Sequence, residues 1–106
     1  MKVSIHQNSE KWHKMSLAEQ MGNIGAEVSR VITWYEKGDK EKKEQALRRA
    51  LELIDLTIQD KRLKNRCFEL YRLKEILCDV FSGKNNYRVS LDNLKRYFLS
   101  FALAIK

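Results

Sequence analysis

Proline is absent from this chain of 106 residues, and glycine occurs only four times. A sheet protein of this length reverses direction every few residues and relies on those two residue types at its turns, whereas a few long helices need few breaks. The apolar residues carry the matching signal. Leu17, Met21, Ile24, Val28, Val31/Ile32 and Tyr35 recur at helical spacing. Ser16 and Glu19 ahead of them make an S-x-x-E capping box, and Gly38 supplies a left-handed stop. Asp39 then caps a second predicted helix running to about Gln59, with Leu47, Ala50/Leu51, Ile54 and Ile58 inward.

The break that follows, Asp60-Lys61-Arg62, has neither Gly nor Pro. One long helix through it is conceivable, but the apolar stripe skips from Ile58 to Leu63. The spacing therefore predicts a tight turn, with Asp60 capping a third helix over about 62–81. Leu63, Cys67, Leu70/Tyr71, Leu73/Lys74, Leu77 and Phe81 trace its stripe. Ser82-Gly83 ends it and a polar loop follows. Ser90 caps a fourth helix, Val89 and Leu94 form a hydrophobic staple, and Leu94, Tyr97/Phe98, Phe101 and Ile105 line the inner face. Four amphipathic helices with short connections predict an all-α, antiparallel up-down four-helix bundle over 16–106. Residues 1–15 read as an N-terminal arm, loose or a short lead-in, with Trp12 as its anchor.

Several function classes lose their footing here. Ferritin-like metal sites need Glu-x-x-His on two helices, yet His6 and His13 both sit in the arm. No metal, cofactor or catalytic residue is expected, because no Cys–His or Ser–His pairing and no phosphate-cradling glycine loop is present. Cys67 and Cys78 are about 16 Å apart on one straight helix, so both read as reduced, partly buried residues. That fits a reducing, cytoplasmic setting. The polar stretch 1–10 does not read as a signal peptide, and no apolar run approaches the roughly 20 residues that span a bilayer.

Charge is the stronger pointer. Residues 1–60 hold ten basic and ten acidic side chains, whereas 61–106 hold eleven and four, so the second part carries the whole net charge of +7. In an up-down bundle one end would gather Lys37, Lys40, Lys42, Lys43, Lys84, Arg88 and Arg96. The other would gather Lys61, Arg62, Lys64 and Arg66. Such patches attract phosphate backbones without reading sequence, and Tyr87 between Lys84 and Arg88 is placed to stack on a base. The alternative is a basic surface that merely aids solubility.

Two further patterns stand out. Gly22, Gly25, Ala26 and Ser29 give the first long helix a face of small residues, suited either to close packing within the chain or to a subunit contact. Polar stripes (Asn23, Glu27, Arg30 and Trp34; Arg48, Glu52, Asp55 and Gln59; Asn65, Glu69 and Arg72) read as solvated faces. Their alternative is an interhelical network in which Arg30 or Arg72 pairs with Glu27, Glu52 or Glu69.

The segment Asn23-Ile24-Gly25-Ala26-Glu27-Val28-Ser29-Arg30 resembles the N-I-A-E-G-x-x-R segment of a family of small bacterial four-helix-bundle proteins. That family includes the protein encoded in intervening sequences of bacterial large-subunit ribosomal RNA. The accessory variability determinant of diversity-generating retroelements is related in fold. The glutamate sits one place later here. The resemblance implies a homo-oligomer, typically pentameric, that binds RNA or DNA and a protein partner such as a reverse transcriptase. HEPN-type helical domains are a second comparison, but their nucleases carry a histidine a few residues after an arginine on a late helix. No histidine follows His13, which leaves a non-catalytic HEPN-like partner of a nucleotidyltransferase as the alternative. The expected function is thus a non-enzymatic, nucleic-acid-binding accessory protein.

Overall fold

The computed structural model describes residues 9–82, 85 and 88–104, and within them every side chain except those of 9, 63, 64 and 101–104. The described residues are helical throughout their regular structure: α1 (Ser9–His13), α2 (Leu17–Lys37), α3 (Lys40–Ile58), a 3₁₀ segment (Lys61–Arg66), α4 (Cys67–Phe81) and α5 (Leu91–Ala104).

Local chemistry explains most boundaries. At the start of α2 the Glu19 amide donates to Ser16 Oγ at 3.2 Å, and the Ser16 amide donates to Glu19 Oε1 at 3.0 Å. Those bonds from Ser16 hold the Glu19 carboxyl below its ordinary range. Two orphan donors are satisfied reciprocally. α2 ends on Gly38 at φ 77°, where a Cβ would be strained. The Gly38 amide reaches the Tyr35 carbonyl and the Asp39 amide reaches that of Trp34, a Schellman closure. Asp39 turns directly into the next cap, its Oδ1 accepting from the Lys42 amide at 3.1 Å. Ser90 does the same for α5, accepting from the Asn93 amide at 3.0 Å.

One expectation is sharpened and two are revised. The stretch 9–13 is an ordered helix whose Trp12 is only 5% exposed and belongs to the core. Trp12 Nε1 donates to Thr57 Oγ1 at 3.0 Å. His13 Nε2 lies 2.8 Å from the Leu56 carbonyl, and since a carbonyl only accepts, that nitrogen carries the proton. The third predicted helix does not begin at Arg62, because the chain is wound as 3₁₀ until Arg66 and α4 opens at Cys67. Asp60 causes this: its Oδ1 captures the amide only two residues on, at 3.0 Å, which tightens the first turn. Finally, Cys78 is exposed and only Cys67 is partly buried, and neither is in a disulfide.

The core lies between α2 and its neighbours. α2 packs against α3 on one side and α5 on the other, while α4 packs against α3. Ile24, Val28, Val31, Ala46, Ala50, Ile54, Leu70, Leu77 and Phe81 are buried there. Burying each large aliphatic side chain contributes about 1.5–3 kcal/mol before the entropy of ordering is set against it. Gly25 permits the α2–α5 contact, since a Cβ at that position would stand 2.9 Å from Phe98 Cβ. On α5 Leu94 and Phe98 are buried as the stripe predicts. The Phe101 side chain and all of Ile105 lie outside the described residues. No helix among the described residues is long and apolar enough to cross a membrane.

Candidate nucleic-acid interface

The basic residues divide sharply by what already holds them. Arg62 is a structural strut. Its Nη2 donates to Asp60 Oδ2 at 2.6 Å and to the Met15 carbonyl at 2.7 Å, and its Nε donates to Asp60 Oδ1 at 3.0 Å. Asp60 is buried, and on its inner side Gln20 Nε2 donates to Oδ2 at 3.3 Å and to the Trp12 carbonyl at 2.9 Å. Gln20 is itself 0% exposed. The Arg62 side chain holds the Asp60 carboxyl far below its usual range despite burial, which works the other way, and Asp60 in turn raises Arg62. The Asp60 carboxylate joins α2 to the 3₁₀ segment at the end of α3, and Gln20 extends this corner to α1.

Of the other predicted contacts, Lys61, Arg88 and Arg96 are exposed and have no carboxylate partner among the described residues. Arg66 is exposed and stands 3.6 Å from Glu69, too long for a firm hydrogen bond. The Lys64 side chain, Lys84 and Tyr87 lie outside the described residues. Sequence reasoning passed over Lys95, which is exposed on α5 beside Arg96. Its adjacency to Arg96 was the available signal. Arg88 adopts φ 55°, a left-handed conformation uncommon for a side-chain-bearing residue, at the entry to α5. Asn85 braces that entry, accepting from the Val89 amide and donating to its carbonyl, both at 3.1 Å.

The α2–α3 connection is a weaker anion site than its lysines suggest. Lys37 and Lys42 sit 5.2 and 4.4 Å from the Trp34 ring centroid, and Lys43 donates to the Phe81 carbonyl at 3.0 Å. Glu36, Asp39, Glu41 and Glu44 are interleaved with Lys37, Lys40, Lys42 and Lys43, so the local charge cancels. Trp34 is thereby occupied by the protein's own cations.

The small-residue face splits. Gly25 is covered by Phe98, Gly22 is half-buried, and Ala26 and Ser29 are exposed. In the polar stripes, Glu27 accepts Arg30 at 3.0 Å and, from the next helix, Arg49 at 3.3 Å. Lys74 reaches Asp55 at 2.8 Å, which raises the Lys74 ammonium. Between α4 and α5 lies an apolar groove of about 360 Å³ walled by Leu73, Ile76, Val89, Leu94 and Tyr97. Tyr97 bridges it by donating to Glu69 at 2.8 Å, and burial followed by that bond pushes its phenol well above the usual range.

No group of three or more His, Cys, Asp or Glu side chains suited to a metal ion occurs among the described residues. No family model, curated protein or solved structure matches this chain.

Proposed function

We propose that the protein is a non-enzymatic, cytoplasmic, nucleic-acid-binding accessory protein, built as an antiparallel up-down four-helix bundle and acting as a homo-oligomer. The observation that carries the reading is the placement of charge. The net +7 falls wholly in 61–106, where Lys61, Arg88, Lys95 and Arg96 are exposed with no carboxylate partner among the described residues. Exposed cations of this kind neutralise phosphates and release counterions, which favours RNA or DNA without selecting a sequence. The bundle topology is supported by lateral contacts whose positions mirror each other about the connections: Glu27 with Arg49, Asp55 with Lys74, Glu69 with Tyr97.

Replacing Lys61, Arg88, Lys95 and Arg96 together by Gln tests the reading and leaves the Arg62 strut intact. Affinity for a short single-stranded RNA at low salt is expected to collapse while the far-UV circular dichroism is unchanged. Unaltered affinity would remove these cations from the site. A protein-interaction module, including a non-catalytic HEPN-like partner of a nucleotidyltransferase, is the competing reading, and the apolar α4–α5 groove is the observation in its favour.

A further inference from the structure

We infer that the nucleic acid held by the proposed phosphate site is an unpaired strand, whose bases stack on Phe68 and Tyr71. Phe68 is 91% exposed and Tyr71 is 52% exposed, both in the first turns of α4. A phenylalanine standing in water on a helix that already buries Leu70, Leu73 and Leu77 contributes nothing to its own core. Other outer rings are engaged from within the chain. Trp34 is covered by Lys37 and Lys42, Tyr35 meets Phe81 edge-on, and Tyr97 meets Phe98 edge-on. Phe68 has no such cover among the described residues.

The surroundings of the rings select a base over an apolar partner. The described residues three and four away from Phe68 are Asn65, Tyr71 and Arg72, with Arg66 and Glu69 close by, and all five are exposed. Two rings set among polar side chains do not make the contiguous apolar patch that a protein contact buries at its centre. A base needs only a flat ring to stack on, and its polar edges and phosphate stay among polar neighbours. Position ties the rings to the phosphate site. Lys61 and Arg66, both exposed, lead straight into α4. The rise of 3₁₀ and α turns puts Phe68 about 13 Å beyond Lys61, within reach of one short strand. Glu69, the nearest acid, is turned toward α5, where it accepts the Tyr97 hydroxyl at 2.8 Å. Phe68 and Tyr71 are three residues apart on one side of the helix, which suits two successive bases. In a duplex the base faces are already stacked on one another, so these rings would gain nothing there.

This inference rests on the nucleic-acid reading and adds to it the form of the strand. The test is fluorescence anisotropy at low salt with three labelled RNA probes. One is a single strand without self-pairing, the second is the same strand with abasic sites at its central positions, and the third is a duplex. The abasic strand keeps every phosphate and loses only the stacking faces. Wild type is expected to bind the intact strand roughly 5- to 150-fold more tightly than the abasic one, the range for one stacked base. Phe68→Ala, at an exposed position, is expected to lose that preference with unchanged melting. Its affinity for the abasic strand and the duplex, and its salt dependence, should match wild type, and Phe68→Trp should retain the preference. Equal wild-type affinity for the intact and abasic strands would overturn the inference without any variant and leave the phosphate reading standing. So would a Phe68→Ala chain that keeps the preference, and the ring would then belong to a protein partner. An equal loss on all three probes would also overturn it, since the ring would then be supporting the cations. Binding to none of the probes would overturn the nucleic-acid reading itself, and this inference with it.

Discussion

Replacing Asp60 by Ala should be among the most damaging single changes to a polar residue in this protein. Asp60 accepts from the Arg62 amide, the Arg62 guanidinium and the buried Gln20 amide. Losing a capping side chain costs about 1 kcal/mol. Leaving a fully buried Gln20 N–H without its acceptor costs about 1–3 kcal/mol more. The ion pair adds little, because Arg62 is half exposed and water screens it. The expected loss is about 2–4 kcal/mol, a large share of the 5–15 kcal/mol typical of a domain. At this chain length that lowers the melting midpoint by roughly 8 °C or more. Urea denaturation followed by circular dichroism at pH 7 measures it directly. Folding depresses the Asp60 carboxyl below its unfolded value near 4. Its contribution is therefore complete above that value and fades as the pH falls through the folded one. The gap between wild type and Asp60→Ala should narrow below about pH 4. A variant within about 0.5 kcal/mol of wild type at pH 7, or a gap that does not narrow in acid, would refute the central role given to this carboxylate.

Trp12→Ala is expected to cost about 3–5 kcal/mol in the same urea assay, since it empties a core position. An effect under about 0.5 kcal/mol is what a detached arm would give. Gly25→Ala sets a helix-propensity gain of about 1 kcal/mol against about 1–3 kcal/mol of overpacking on Phe98. The Phe98 atom in the way is its Cβ, which cannot swing aside, so the variant should melt below wild type. A higher melting midpoint would show that α5 moves out at little cost.

What the sequence disclosed was what neighbours in the chain decide. Ser16 with Glu19, Gly38 and Asp39 act within a few residues, and each performs in the structure the role its type and position suggest. The role of Asp60 was only half visible. Its capping of Arg62 is local, but its second partner, Gln20, lies 40 residues away and carries no mark in a linear pattern. For the same reason Arg62 looked like a phosphate contact, since composition counts its charge and not the carboxylate that holds it. Trp12 stood out as an anchor, yet five helical residues are too few for periodicity to declare α1. The lysines around the α2–α3 connection were legible as basic only until the interleaved acids and the Trp34 ring were considered with them. Phe68 lies off the buried stripe of α4, and nothing local explains a ring so exposed.

The most direct test of the proposed function is fluorescence anisotropy of a labelled single-stranded RNA, titrated with the full chain over a series of salt concentrations. The account predicts binding at low salt, with log affinity falling linearly against log salt at about 0.7 per phosphate contact. The Lys61, Arg88, Lys95 and Arg96 to Gln variant should then lose up to about three units of that slope. No binding at low salt, or an affinity insensitive to salt, would contradict a phosphate-binding role and turn attention to the α4–α5 groove as a site for a protein partner.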